Sequence, residues 1–301
     1  MQTWVVITVA AAFLQNIRST LQKHLKKVMG TTGATFVRFG YGVPFAILFL
    51  LVLHFVLGYE IPRPNAAFAL WVTVAALGQI IAQALLVHLF SFRNFAVGTA
   101  YSRTEPAQAA IFGLLFLGEL VTSGALIAIL ITVFGVMLIS IAHHAMSLRN
   151  LAASIVSRTS LIGLASGTAF GIAAVGYRAA SLALGYPNFM MQAAMTLVCA
   201  ITLQTVLLLI WMWLREPAEI GRVRAAWKTG LAVGFVGATA SFGWFMAMTL
   251  QQAAIVKALA QIEILFTFAS TVFFFREPIN RIETIGCVLI ALGIVVLVIY
   301  R

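Results

Sequence analysis

Long apolar runs alternate with short polar breaks along the whole chain. Ten runs stand out, at about 4–22, 34–57, 66–90, 95–117, 122–142, 160–184, 188–213, 227–250, 252–275 and 282–300. Each has roughly the 20 residues a helix needs to cross the hydrocarbon core of a bilayer. The breaks carry turn chemistry: Gly30-Thr31-Thr32-Gly33, Ile61-Pro62-Arg63-Pro64-Asn65, Gly185-Tyr186-Pro187-Asn188 and Arg215-Glu216-Pro217. The longest polar stretch, His143 to Arg158, lies at the centre. The pattern predicts an all-α polytopic membrane protein. Its first five-helix repeat spans 1–145, its linker 146–158 and its second repeat 159–301.

The two halves echo each other. Glu105 and Glu119 are fourteen residues apart, as are Glu263 and Glu277. Adding 158 maps Glu105 on Glu263, Glu119 on Glu277, Gly135 on Gly293, Ala96 on Ala254, Val97 on Ile255 and Ala100 on Ala258. The chain holds eight acidic residues, all Glu, so two coincident pairs point to an internal duplication. Five helices is an odd number, so the second half enters from the opposite side. The predicted architecture is therefore ten transmembrane helices in two inverted five-helix repeats.

Composition agrees. At 62% hydrophobic and 9% charged, the chain exceeds what the interior of a soluble domain can hide. The alternating segments of a β-barrel are absent from the pattern. The net charge of +11 raises nucleic acid as a partner, but the basic residues lie between apolar runs, where membrane topology accounts for them. One side collects Lys23, Lys26, Lys27, Arg93, Arg149, Arg158, Arg215, Arg222, Arg224, Lys228, Arg276 and Arg281, against Arg63 and Arg301 on the other. This bias makes the first side cytoplasmic and both termini external. Cys199 and Cys287 fall inside apolar runs, which predicts buried thiols. The first run has no basic segment before it and reads as a retained helix.

Ionisable groups at membrane depth are costly, so each needs a cavity or a partner. Glu105 and Glu263 are the acids deepest in the spans, with Arg103 and Lys257 the nearest cations in sequence. Arg103 and Glu105 are two apart and face opposite sides of a helix, so each looks elsewhere for a partner. Lys257 with Gln261, and Tyr101 with Glu105, are four apart and share a face. Pro106 lacks an amide donor and frees the carbonyl of Ser102, predicting a kink beside Glu105. Two readings follow for Glu105 and Glu263: substrate or proton binding, and a salt bridge tying the halves together. Arg178 is open between a substrate carboxylate and structural pairing. Arg18 and Arg38 read as snorkelling toward the basic surface. His88 lies toward a helix end, and His143-His144 has no further ligand nearby, so no metal site is predicted. Gln79, Gln83, Ser241 and Trp244 are candidate cavity liners. Glu119 and Glu277 precede the fifth and tenth helices, where a carboxylate stabilises a helix N-terminus. Gly163, Gly167 and Gly171, and likewise Gly230 and Gly234, mark faces of close helix packing.

The two halves, Gly118-Glu119 followed by Gly135, and Arg276-Glu277-Pro278 followed by Gly293, resemble the EamA-like members of the drug/metabolite transporter superfamily. The resemblance covers almost the whole chain. It implies a central cavity lined by helices one to four and six to nine, with the fifth and tenth peripheral. It also implies transport of a small metabolite, mostly outward, from a plasma membrane such as the bacterial inner membrane. Cytoplasmic termini are usual in that family, opposite to the Lys/Arg bias. The expected function is thus a secondary transporter working by alternating access, with a weak lean to amino acids or other carboxylate-bearing solutes. Its partners are a small-molecule substrate and the bilayer, with protons the candidate coupling ion and no nucleic acid. No Gly-x-x-x-x-Gly-Lys-Ser/Thr loop is present and no cofactor is expected. The alternative, an intramembrane lipid-modifying enzyme, needs a nucleophile and base or metal ligands at membrane depth. A chain without Asp and with scattered His supplies them poorly, so no enzyme activity is expected.

Overall fold

The computed structural model describes residues 2–26, 28–89, 92, 95–142, 156–273 and 281–300. The chain runs through α1 (Thr3–Leu25), α2 (Thr31–Gly40), α3 (Val43–Phe55), α4 (Ala66–Leu89), α5 (Phe95–Ser102), α6 (Glu105–Leu117) and α7 (Ser123–Ala142). It continues through α8 (Arg158–Ala183), α9 (Phe189–Arg215), α10 (Pro217–Ala225), α11 (Trp227–Leu250), α12 (Ala253–Leu259), α13 (Ile262–Phe273) and α14 (Arg281–Tyr300). Among the described residues, eight helical stretches are long and apolar enough to cross a membrane. Large apolar side chains such as Phe55, Leu115 and Trp213 stand 75%, 67% and 69% exposed, as a lipid-facing surface requires.

Ten unbroken spans were the expectation, and the fourth and ninth differ from it. The run 95–117 is divided into α5 and α6, and the run 252–275 into α12 and α13. The first break has a local cause. Pro106 occupies the first turn of α6, and tight turns carry the chain past it, with Arg103 N donating to Ala100 O and Thr104 N to Tyr101 O. The second break, at Ala260-Gln261, uses the same short turns, Gln261 N to Ala258 O and Glu263 N to Ala260 O. Nothing in those two residues themselves explains it. The breaks nevertheless fall within one residue of the 158-residue offset, which maps Arg103-Thr104 on Gln261-Ile262 beside the observed Ala260-Gln261. The second span is interrupted as well, at Tyr41-Gly42, between α2 and α3.

The chain forms two compact units, Met1–Leu77 with Gly176–Leu250, and Gly78–Val175 with Gln251–Arg301. Each draws on both sequence halves. In the first unit, Gly230 and Gly234 of α11 accept the ring and backbone of Tyr41, and Gly243 meets Ala11 of α1. Its core includes Leu25, Val37, Met212 and Val233 in one cluster, and Leu50, Leu53, Met191 and Ala194 in another.

In the second unit, α7 and α14 pack with a reciprocity that exposes the duplication. A Cβ on Gly135 would meet Gly286 O at 2.8 Å and Ile290 Cγ1 at 3.0 Å. A Cβ on Gly293 would meet Ala128 O at 3.0 Å and Thr132 N at 3.0 Å. Subtracting 158 from 286 and 290 returns 128 and 132, so each helix meets the other through equivalent positions. The pairing runs in opposite directions, for Thr122 Oγ1 donates to Tyr300 O at 2.8 Å while Gly135 meets Gly286. Equivalent helices of the two halves are therefore antiparallel here, as an inverted repeat demands. Gly135 and Gly293, equivalent by the duplication, are both points of close backbone approach.

Candidate functional site

The second unit brings Glu105 and Lys257 together. Lys257 Nζ stands 2.8 Å from Glu105 Oε1, with the side chains 26% and 17% exposed. Glu105 comes from the first sequence half and Lys257 from the second, so the ion pair joins the two halves. Glu105 lies in the first turn of α6 and Lys257 in the last turn of α12. A carboxylate near a helix start and an ammonium near a helix end each sit at a favourable end of the helix dipole. The contact falls short of an aligned hydrogen bond, leaving Oε1 buried without one. The contact is an ion pair in geometry.

The pair is not duplicated. The position equivalent to Lys257 in the first half is Thr99, and Glu263, the equivalent of Glu105, stands half-buried in the first turn of α13. The duplicated frame thus carries an asymmetric charge pattern, which separates the two acids chemically.

The break beside Glu105 is braced by residues that sequence reasoning left without a role. Gln108 Nε2 donates to Thr104 Oγ1 at 2.7 Å, and Thr168 Oγ1 of α8 donates to Gln108 Oε1 at 2.5 Å. Thr104 Oγ1 donates to Tyr101 O at 2.7 Å. Gly167 lies over the break, where an added Cβ would be 3.0 Å from Ser102 O and 2.9 Å from Gln108 Nε2. Gly163 and Gly171 flank it, against Gly98 and against Ala109 and Phe112. The glycine face of α8 is what seats the broken helix.

Other expected residues are placed differently. Arg103 is exposed at the turn. Tyr101 is buried with Val97, Ala100 and Met137, so it packs toward α7. The shared faces expected for Tyr101 with Glu105, and for Lys257 with Gln261, assumed continuous helices, and both helices break between the members of the pair. Gln261 is buried at the second break, and Gln79 and Gln83 are half-buried on α4. Glu119 does not begin α7, which has no acid in its first turn and whose Ala125 N donates to Thr122 Oγ1 at 3.2 Å. Instead Gly118, with φ of 67°, ends α6, and Glu119 N returns to Gly113 O at 3.1 Å. A short hydroxyl side chain adjacent to the helix reaches its amides more easily than a carboxylate three residues earlier. Glu277, with Arg276, Pro278, His143 and His144, lies outside the described residues.

Arg178 and Trp244 belong to the first unit. Arg178 Nη1 donates to Met248 O at 2.6 Å and Thr249 O at 3.2 Å, so its charge caps the C-terminal carbonyls of α11. Trp244 Nε1 donates to Gln15 Oε1 of α1 at 3.0 Å. Arg18 does not snorkel: it is 7% exposed, because Gly237 of α11 lets its stem pass inward. A further contact joins Glu219 of α10 to the start of α2, with Gly30 N donating to Glu219 Oε2 at 2.8 Å and Arg222 paired to the same carboxylate. That acid lies in the first turn of α10 and gave no signal of its own in the sequence.

These features define a helical membrane protein on a duplicated frame with antiparallel equivalent helices and matching helix breaks. The family model of the EamA-like transporter family matches residues 2–141 and again 158–299. The chain belongs to the EamA-like transporter family. A solved crystal structure, 16% identical, matches over 100% of this chain and 97% of its own, with a TM-score of 0.72, a likeness that speaks to fold alone. No curated protein matches the chain.

Proposed function

We propose that this membrane transporter is a secondary transporter that exports a small metabolite by alternating access, with Glu105 and Lys257 as its coupling pair. The reading takes ten membrane crossings, with halves at 1–145 and 159–301. The observation that carries it is the pair of matched helix breaks, each followed by a carboxylate in the first turn of the next half-helix. Broken helices near mid-membrane, with charged groups at their ends, are the recurring ion and substrate sites of inverted-repeat transporters. Protonation of Glu105 neutralises one member of an ion pair and frees Lys257, so one proton changes the charge pattern at the break. Solute uptake into proteoliposomes under an imposed pH gradient tests the reading. Movement of unmodified solute, abolished by collapsing the gradient, supports it. Conversion of a lipid without solute movement favours the enzyme alternative.

The Lys/Arg bias assigns the orientation in a bacterial inner membrane. A phosphatase fused after residue 301 is expected to be active, and a fluorescent protein exported unfolded there is expected to stay dark. The opposite result reverses the assignment to cytoplasmic termini.

A further inference from the structure

The exposed tryptophans of the chain gather at one end of the first unit. Trp211 and Trp213 stand near the end of α9 and Trp227 opens α11, at 52%, 69% and 50% exposure, whereas Trp4 and Trp244 are buried and Trp71 is half-buried. A cation lies against a ring on each flank. The Arg215 guanidinium is 5.9 Å from the Trp211 ring centroid, and Lys228 Nζ is 5.7 Å from that of Trp227. Between them runs α10, which packs against both α9 and α11. Its inner face is fixed on α2. Glu219 and Val223, four apart, are buried against Gly30 and Gly33, and Tyr41 Oη donates to Val223 O at 3.1 Å. Its outer face is open: a Cβ on Gly221 would meet nothing within 4 Å, and Arg222 and Arg224 are exposed. Lys26 is exposed at the same end, next to Leu25, which shares a core cluster with Met212 and Val223.

The acids at this end do not balance its cations. Glu219 takes Gly30 N and Arg222, and Glu216 accepts from Thr32 Oγ1 at 3.1 Å. Against these two carboxylates stand Lys26, Arg215, Arg222, Arg224 and Lys228, and the whole chain has only eight acids for its 19 Lys and Arg. The surplus is met from outside the protein. Membrane topology alone asks for cations in a loop, but not for indole rings beneath them at this end only. Indole sits at headgroup level in a bilayer, with its ring toward the chains. From that depth Arg reaches a phosphate in a two-pronged fashion and Lys as a point charge. A free anion would gain from the cations and nothing from the rings. We propose that the outer face of α10, with Arg215, Arg224 and Lys228, binds the phosphate of anionic phospholipids, whose chains lie on Trp211, Trp213 and Trp227. The site needs only a chain embedded in a membrane and is independent of the transporter reading.

The test reads contact between lipid and tryptophan. The full-length protein is reconstituted into vesicles of phosphatidylglycerol and phosphatidylcholine in which one lipid or the other carries brominated chains, which quench indole fluorescence on contact. Brominated phosphatidylglycerol is expected to quench more than brominated phosphatidylcholine at equal mole fraction, and high salt is expected to remove the excess. The joint variant Arg215→Gln, Arg224→Gln and Lys228→Gln is expected to lower this preference about fivefold for each cation removed. Arg63→Gln, in the loop between α3 and α4, is expected to leave it unchanged. The three cations are exposed, so the joint variant is expected to melt as the wild type does. Should it fail to fold, Arg224→Gln alone decides through its fivefold loss. Equal quenching by the two lipids in the wild type overturns the proposal. So does a preference that survives the joint variant, or one that Arg63→Gln lowers equally. Loss of the excess to inorganic phosphate at constant ionic strength overturns it too, since the site would then recognise a free anion. Solute movement without the lipid preference leaves transport standing and removes the lipid site. A preference that depends on the three cations in protein that moves no solute does the reverse.

Discussion

Glu105→Gln protein is expected to fold, to retain solute exchange and to lose pH-driven accumulation. One pH unit across the membrane is worth about 1.4 kcal/mol per coupled proton, or about tenfold accumulation of a neutral solute. The variant should bring that ratio to unity, because Gln neither releases nor takes up a proton. The same change leaves Lys257 without its carboxylate. That side chain is 26% exposed, so water shares the burden and the stability loss should be modest, on the order of 1 kcal/mol. A double variant, Glu105→Gln with Lys257→Met, separates the two roles of the pair. If the ion pair only ties the halves together, the double variant recovers both stability and accumulation. If Glu105 carries the proton, stability returns and accumulation does not. Recovery of accumulation in the double variant, or wild-type accumulation in Glu105→Gln alone, removes the coupling role. Glu263→Gln is the comparison at the second break, where the position equivalent to Lys257 is Thr99 and the Lys257 contact has no copy.

Much of this frame was legible because membrane insertion leaves a coarse signature. Apolar runs of fixed length and the 158-residue offset between Glu105 and Glu263 need no tertiary information. The packing of Gly135 and Gly293 follows from the same offset, and the reciprocal contacts of α7 and α14 give it a geometric basis. The break at Pro106 was legible from the missing amide. The break at Gln261 was not, because no residue there forbids a helix and only the surrounding packing distinguishes it. Partner choice was half legible. The sequence shows that Glu105 and Lys257 need partners, but not that Arg103 turns outward while Lys257 turns in. Arg18 was misread for a related reason. Its position in its span suggested snorkelling, and only the approach of Gly237 from a distant helix gives its stem an inward path. Likewise nothing near Arg178 in sequence announces that the end of α11 lies within its reach.

Gly163→Ala is expected to be the most damaging single-methyl change in the second unit. Gly163 of α8 faces Gly98 of α5, and a Cβ there would lie 2.7 Å from Gly98 Cα and collide with the Gly98 carbonyl oxygen. The obstacle is backbone on the opposing helix, so no side-chain rotation relieves it and the helices must part. Parting them also lifts Gly167 from Ser102 and Gln108, and Gly171 from Ala109, which loosens the seat of the broken helix. Overpacking of this kind costs about 1–3 kcal/mol, and Gly163→Val should exceed that. Gly221 of α10 supplies the control, since a Cβ there meets nothing within 4 Å. Gly221→Ala should be neutral or stabilising by up to about 1 kcal/mol, the ordinary gain from removing a helical glycine. Thermal melting of the three purified variants beside the wild type makes the comparison. If the tight crossing holds the break in place, Gly163→Ala should also lose transport in proportion to more than its folded fraction. Wild-type melting and wild-type transport in Gly163→Ala would show that α5 and α8 separate freely and that the break is held by the Thr104, Gln108 and Thr168 hydrogen bonds instead.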